Sequence, residues 1–420
     1  MNLCIKTVFA AILAFTAIGH SPATETLDKL ELPPIEKKEW VFQEFPILAW
    51  WGPPGNASQQ DFDRYRDAGL NIYLPNRDIT FTSSTLMAKN AGLKIMPFRT
   101  LQGFGLPDDP DLKFPENDPA IIGWLTHDEP SGYRGVREAI TAMNTMMRKD
   151  PTRWTLFNML PPHAQTNPGP DEVINAAAKA GIPVLSYDNY VLHKSGNTNP
   201  DSHFNHLEIY RKASLKHDLP FWAFALSIQH FDYRESSESD LRWKQFTNLA
   251  YGAKGLWYFT YWAPEKWDSW SSRAFIDAHT SQPTAMYDYA RTINHTVAEA
   301  GPVLLRLKNL AVYHTQPPPG HNVWKPATHW IQDVNGKNVL ISFFRHDDGT
   351  EYAWIVNKVH AMDKSANDCA DTITIKFASD VKSVNAVSWL DGKLGPLSLD
   401  NHTSSMKISG GTGVLLRREP

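Results

Sequence analysis

Cysteine is nearly absent: the 420 residues hold two, Cys4 and Cys369. Two cysteines cannot supply the disulfide framework on which small secreted folds depend, and a chain this long can bury its own core without one. Long basic runs are missing as well. The 41 Lys and Arg stand against 45 Asp and Glu, a formal charge of −4. Binding a phosphate backbone needs concentrated cations, so nucleic acid is excluded as a partner. No glycine-rich phosphate fingerprint follows the first candidate strand, which argues against a dinucleotide-binding sheet. The 16 histidines are scattered without ligand spacing, so no metal and no other cofactor is expected.

The apolar run TVFAAILAFTAIG, Thr7 to Gly19, is too short to cross a bilayer. Lys6 precedes it, and the small residues Ser21 and Ala23 follow. This reads as a signal peptide over 1–23, then a polar linker over 24–40. Cys4 leaves with it, so the mature chain is expected to lack a disulfide, to sit in the periplasm or outside a bacterial cell, and not to insert in a membrane. An uncleaved anchor is the alternative.

What is abundant is aromatic: 15 Trp, 14 Tyr and 20 Phe. Most such residues fill cores, but at strand ends they can serve as flat surfaces for ligands. The chain also repeats itself. DAGLNIYLP (67–75), NAGLKIMPF (90–98), KAGIPVLSY (179–187) and GAKGLWYFTYW (252–262) each read as a helix end, a glycine turn and a short apolar strand. Strand candidates fall at 46–51, 70–75, 93–98, 121–126, 153–158, 182–187, 219–226 and 255–260. Helical periodicity lies between them, as in Val136, Ile140, Met143 and Met147, or Met286, Ala290, Ile293 and Val297. Ser58 and Asp61 form a capping signal ahead of the first helix. Eight strand–helix alternations define an α/β protein with a (β/α)8 TIM barrel, placed at 41–306. From 307 to 420 the segments NVLISFF, EYAWIVN, TITIKF and VKSVNAVSW alternate in the manner of a C-terminal antiparallel β-sandwich.

Barrel enzymes carry their chemistry at the C-terminal ends of strands. There the fourth strand, IIGWLTHDEP, turns from apolar to acidic at Asp128 and Glu129. The other strand ends offer Trp50 and Trp51, Arg77, Arg99, Asn158, Tyr187-Asp188-Asn189, Gln229, and Trp262 with Glu265. Carboxylates, amides, arginines and indoles around one mouth suit a sugar, whose hydroxyls meet planar polar groups and whose C–H faces meet rings. A carbohydrate substrate is therefore expected. Each residue also has a plainer reading: Asp188 as a cap, Glu265 as surface, the arginines as structural counterions, the indoles as core.

IIGWLTHDEP resembles the fourth-strand segment of clan A-type glycoside hydrolases, where the acid/base Glu follows an Asn and precedes a Pro. LRWKQFTNLAYGAKGLWYFTYW, 241–262, is similar to the seventh helix and eighth strand of barrels related to family 42 β-galactosidases. EYAWIVNK and GGTGVLLRR are similar to the β-domain strands that close such proteins. The resemblance implies an O-glycosyl hydrolase with Glu129 as general acid/base. Two departures stand out. Asp128 replaces the clan's Asn and cannot donate a hydrogen bond while ionised. The seventh strand, LPFWAFALSIQH, ends without the clan's nucleophilic Glu.

Three chemistries follow. Asp188 or Glu265 serves as the second carboxylate, with Asp188 preferred because it follows its strand at nearly the offset of Glu129. Alternatively, Asp128 and Glu129 act as the Asp-Glu pair of substrate-assisted hexosaminidases resembling family 20, with Trp257, Tyr258, Trp262 and Tyr187 around an acetamido group. That reading requires a bend at Asp128, since adjacent strand residues face opposite ways. In the third, the barrel binds carbohydrate without cleaving it. The expected electrostatics are a Glu129 proton retained through the charge of Asp128.

Overall fold

The computed structural model describes residues 26–35, 42–75, 83–98, 118–195, 199–264, 268–327, 329–388 and 392–420. The proposed leader over 1–23 lies outside them. Strands and helices alternate as β1 (Ile47–Trp50), α1 (Gln59–Asp67), β2 (Ile72–Tyr73), α2 (Ser83–Asn90), β3 (Lys94–Ile95), β4 (Gly123–Asp128), α3 (Gly132–Lys149) and β5 (Trp154–Met159). The alternation continues through α4 (Pro170–Lys179), β6 (Leu185–Tyr187), α5 (Pro200–His217), β7 (Phe221–Leu226), α6 (Glu238–Ala250), β8 (Leu256–Phe259) and α7 (Ala285–Arg306). The parallel order is β3-β2-β1-β8-β7-β6-β5-β4. Bridges Ile95–Ile121 and Phe98–Leu125 join β3 to β4 and close the (β/α)8 barrel.

Local chemistry explains the punctuation. Ser58 and Asp61 form a reciprocal cap on α1, and Ser237 and Asp240 form one on α6. Gly69, Gly92, Gly181 and Gly252 take φ of 78°, 72°, 90° and 100° in the turns leading into strands, a region where a β-carbon is costly. The aromatic richness is largely interior. Trp222 packs edge-on against Trp154 at 5.2 Å and lies 5.9 Å from Trp257. Gly255 gives Trp222 its space, since a β-carbon there would sit 2.5 Å from the indole.

The second part comprises β9 (Leu307–His314), β10 (Ile331–Asn335), β11 (Val339–His346), β12 (Glu351–Asn357), β13 (Asp371–Phe377), β14 (Val384–Val387), β15 (Leu394–Pro396), β16 (Thr403–Ile408) and β17 (Gly413–Arg418). Two antiparallel sheets, β10-β13-β16 and β15-β14-β17-β12-β11-β9, enclose a core that includes Ile341, Phe343, Ile355, Ile373 and Leu416. Residues 26–35 differ from the expected polar linker. Leu27 is buried, its N–H donates to Glu172 Oε1 at 2.7 Å, and Asn144 Nδ2 donates to Pro33 O at 3.1 Å. The apolar Leu27 and backbone carbonyls that accept from side chains of α3 and α4 make this segment a strap over those helices.

Helix α6 is buried from Ser239 to Ala250 because it lies between barrel and sandwich, packing on β7 and on β11, β12 and β17. A helix covered on all sides can carry polar residues only where each has a partner. Asp240, fully buried, accepts from Arg234 Nη2 at 3.0 Å, His360 Nδ1 at 2.7 Å and the Ser237 N–H at 2.9 Å. Burial opposes its ionisation, but the bonds from His360 and Arg234 win and bring it down to about 2. Asp240→Ala strands the Arg234 cation and is expected to cost roughly 3–5 kcal/mol in urea unfolding at neutral pH. A loss under about 1 kcal/mol would show that solvent reaches this seam.

Candidate active site

Three adjacent strands assemble the acids. β4 delivers Asp128 and Glu129, β5 delivers Asn158, and β6 hands the chain to Asp188. The register of β4 on β5 shifts between Leu125 and Asp128, and Glu129 takes φ of 48°. This bend brings Asp128 and Glu129 into one site. Asn158 Nδ2 donates to Asp188 Oδ1 at 3.1 Å and to Asp128 Oδ1 at 3.3 Å, while Ser186 Oγ donates to Asn158 Oδ1 at 2.9 Å. The Glu129 N–H is held by Asn158 O at 2.9 Å. The side chains of Glu129 and Asp188 lie close enough for each to perturb the ionisation of the other.

Glu129 is exposed as a residue at the mouth, and its carboxyl feels the charge of Asp188. Burial raises its pKa, and the charge of and hydrogen bond to Asp188 raise it further, to about 8. Burial and then the charge of Asp128 raise Asp188 to about 7, against the bonds from Asn158 and Glu129. The principal neighbour raising Glu129 is thus Asp188, not Asp128 as the sequence suggested, because the bend aims Asp128 at Asn158. Both carboxyls are thus pushed toward the protonated form and titrate as a coupled pair.

An aromatic wall adjoins the pair. Tyr190, within the field of Asp188, Glu129 and Asp128, packs on Tyr233 at 5.6 Å, Phe259 at 5.8 Å and His230 at 5.9 Å. His230 lies 4.4 Å from Trp270, and Trp51 lies 5.8 Å from Phe259 and 6.0 Å from Trp270. Trp51, Glu129 and Phe231 adopt φ of 53°, 48° and 47°. Such left-handed residues cost on the order of 1–3 kcal/mol each and recur where a site needs a fixed side-chain direction.

Other expected site residues go elsewhere. Tyr187 is buried and stacked on Tyr210 of α5 at 3.8 Å, so it faces away from the mouth and cannot shape a sugar subsite. Trp50 is 4% exposed, packed among Phe98, Phe224 and Trp257 inside the barrel. Trp257 and Tyr258 are fully buried, and Tyr258 donates to Asn294 Oδ1 at 2.7 Å, so neither forms an acetamido cage. Strand alternation, invisible without the register, decides all four. Trp262 is half-buried at the mouth, its N–H on Trp51 O at 3.1 Å. Gln229 is half-buried, its carbonyl accepting from the Ser271 N–H at 2.9 Å. Asn189 is buried and its side-chain amide has no partner among the described residues. Arg77, Arg99 and Glu265 lie outside the described residues.

Several residues escaped the sequence reading. Tyr233, Phe259 and Trp270 reach the mouth from a strand end and two long loops, a placement set by folding of the β7 and β8 connections. Lys244 was not legible, since α6 carries many polar residues and only its position between barrel and sandwich buries them. Its Nζ donates to Asn189 O at 2.7 Å and to His203 Nδ1 at 2.9 Å. Burial lowers its pKa to about 7, against the pull of the Asp188 charge.

No family model matches the chain, and no curated protein matches its sequence. Solved structures do. An α-amylase from Anoxybacillus aligns at TM-score 0.52 and 11% identity, over 91% of this chain and 99% of that one. A noncanonic maltogenic α-amylase from Thermotoga neapolitana aligns at 0.47 and 10%, over 90% and 99%. A GH30 endoxylanase from Clostridium papyrosolvens aligns at 0.44 and 12%, over 92% and 98%. The Anoxybacillus match spans barrel and sandwich together and shows the same fold; at such identity, the likeness is one of fold alone.

Proposed function

We propose that this protein hydrolyses O-glycosidic bonds in an oligo- or polysaccharide, with Glu129 as general acid/base and Asp188 as its partner carboxylate. The observation that carries this reading is the cluster of Asp128, Glu129 and Asp188 around Asn158 at the C-terminal mouth of the barrel, which favours a retained proton on the acids. A glycosidic oxygen leaves only when protonated, and an acid that keeps its proton at neutral pH can protonate it. The aromatic wall from Tyr190 to Trp270 offers flat surfaces for sugar rings beside that proton. The fold neighbours are glycoside hydrolases, and the family 42-related resemblance of the sequence belongs to the same proposal. A periplasmic or secreted location would bring the site to extracellular glycans.

The mutual effect of Glu129 and Asp188 on ionisation makes them near neighbours, on the side of the short ~5 Å separation of a retaining pair rather than the ~6.5–9.5 Å of an inverting one. We expect retention of anomeric configuration, read by proton NMR of the first-formed product; an inverted first product would remove Asp188 as a nucleophile. The substrate-assisted reading needed a bend at Asp128, where the strand register does shift, but three of its four cage residues, Tyr187, Trp257 and Tyr258, are buried.

A further inference from the structure

We infer that the seam between barrel and sandwich holds a second binding site, for a small polyhydroxylated carboxylate the size of a monosaccharide. A cavity of about 460 Å³ opens there, lined by Phe204 on α5, Trp243 on α6, and Asn338, Lys358 and His360 from the sandwich. That volume lies in the ordinary range for small-molecule sites, roughly 300–1,000 Å³. No side chain of the acid pair or the aromatic wall contributes to it.

Lys358 sets the charge preference. It is 4% exposed and has no carboxylate partner among the described residues. Its Nζ donates to His314 Nδ1 and to Gln316 O, each at 2.9 Å, which uses two of three N–H groups. Phe204 lies 5.4 Å beneath the same nitrogen. A buried ammonium without a counterion is costly, and an incoming carboxylate would offset that cost. Asp201, the acid on the lining, stands exposed on the first turn of α5. His360 is already committed to Asp240 at 2.7 Å.

Asn338 sets the hydroxyl preference. Its Oδ1 is buried without a partner, and its carbonyl accepts the Lys358 N–H at 2.8 Å, so the two residues are anchored side by side. An unpaired buried acceptor calls for a donor from the ligand. Pro317, Pro319 and Val359, which line the cavity and are partly open, supply apolar surface for the ligand's C–H bonds. Anion, hydroxyl and apolar face together describe a sugar acid.

Isothermal titration calorimetry with glucuronate, glucose and acetate tests this on the full chain, as wild type, Asn338→Asp, Lys358→Met and Glu129→Gln. Glucuronate should bind wild type and Glu129→Gln alike, with glucose and acetate each at least about tenfold weaker. Asn338→Asp places a carboxylate beside Lys358 and should lose glucuronate at least about tenfold with a melting temperature no lower than wild type, which keeps the test valid if Lys358→Met does not fold. Equal binding of glucose or acetate, full binding by Asn338→Asp, no heat from glucuronate at millimolar concentration, or a loss specific to Glu129→Gln would each overturn the proposal. The last of these would place the ligand at the barrel mouth, while failure of hydrolysis leaves the seam site standing.

Discussion

Glu129→Gln is expected to slow glycoside hydrolysis at least ~100-fold in kcat/KM on any substrate that wild type cleaves. The amide keeps the size and planarity of the side chain and can still bond to Asp188, but it has no proton to give a leaving oxygen. Binding contacts along the aromatic wall are untouched, so the loss should fall on kcat with KM little changed. Asp188→Asn should be impaired as well, with a different signature. Removing the Asp188 charge deletes a cause of the raised Glu129 pKa, so the basic limb of any residual activity should move to lower pH. A Glu129→Gln variant within about threefold of wild type would move the search to other strand ends.

Stability should follow the same pair. Glu129 and Asp188 titrate near 8 and 7 in the folded chain, against about 4 when unfolded. Folded-state values raised in this way stabilise fully below about pH 4, where both states hold the protons. That contribution is lost as pH rises, and it is exhausted above about 8, where two neighbouring carboxylates must both be ionised. Glu129→Gln removes one of them. Its melting temperature should therefore exceed that of wild type by a few degrees at pH 8.5, with the difference closing toward pH 4. Because the comparison is a difference, groups with the opposite dependence, Asp240 among them, cancel. Activity should be bell-shaped, highest where the pair holds one proton, between about 7 and 8. Equal melting temperatures at pH 8.5 would mean that the pair is solvated.

Much of the scaffold was legible because it is written in local chemistry. The four glycine turns, the cap at Ser58 and the apolar runs between them place eight strands within a few residues of their observed positions. The acids at Asp128, Glu129 and Asp188 were legible for the same reason, since a change from apolar to polar marks where a strand leaves the barrel. What the sequence did not disclose is which way a side chain faces. Tyr187 and Trp50 stand at strand ends yet point into packed layers, and their register is fixed by neighbouring strands far away in the chain. Nor could it disclose the bend at Glu129, which a non-glycine residue adopts only under constraint from its surroundings. Trp270 and Tyr233 reach the mouth on loops whose path no periodicity encodes. The seventh strand lacks the clan's nucleophilic Glu, and in the proposed reading Asp188, one strand away after β6, takes its part.

The central claim is that the Glu129–Asp188 pair cleaves glycosides, and release of reducing ends tests it most directly. Wild type and Glu129→Gln should be incubated side by side at pH 7.5 with neutral, 2-acetamido and uronic-acid oligosaccharides in both anomeric series. The pair predicts release by wild type from at least one linkage and near silence from the variant on that same linkage. Equal release by both proteins, or binding of glycans by wild type with no release from any of them, would contradict it.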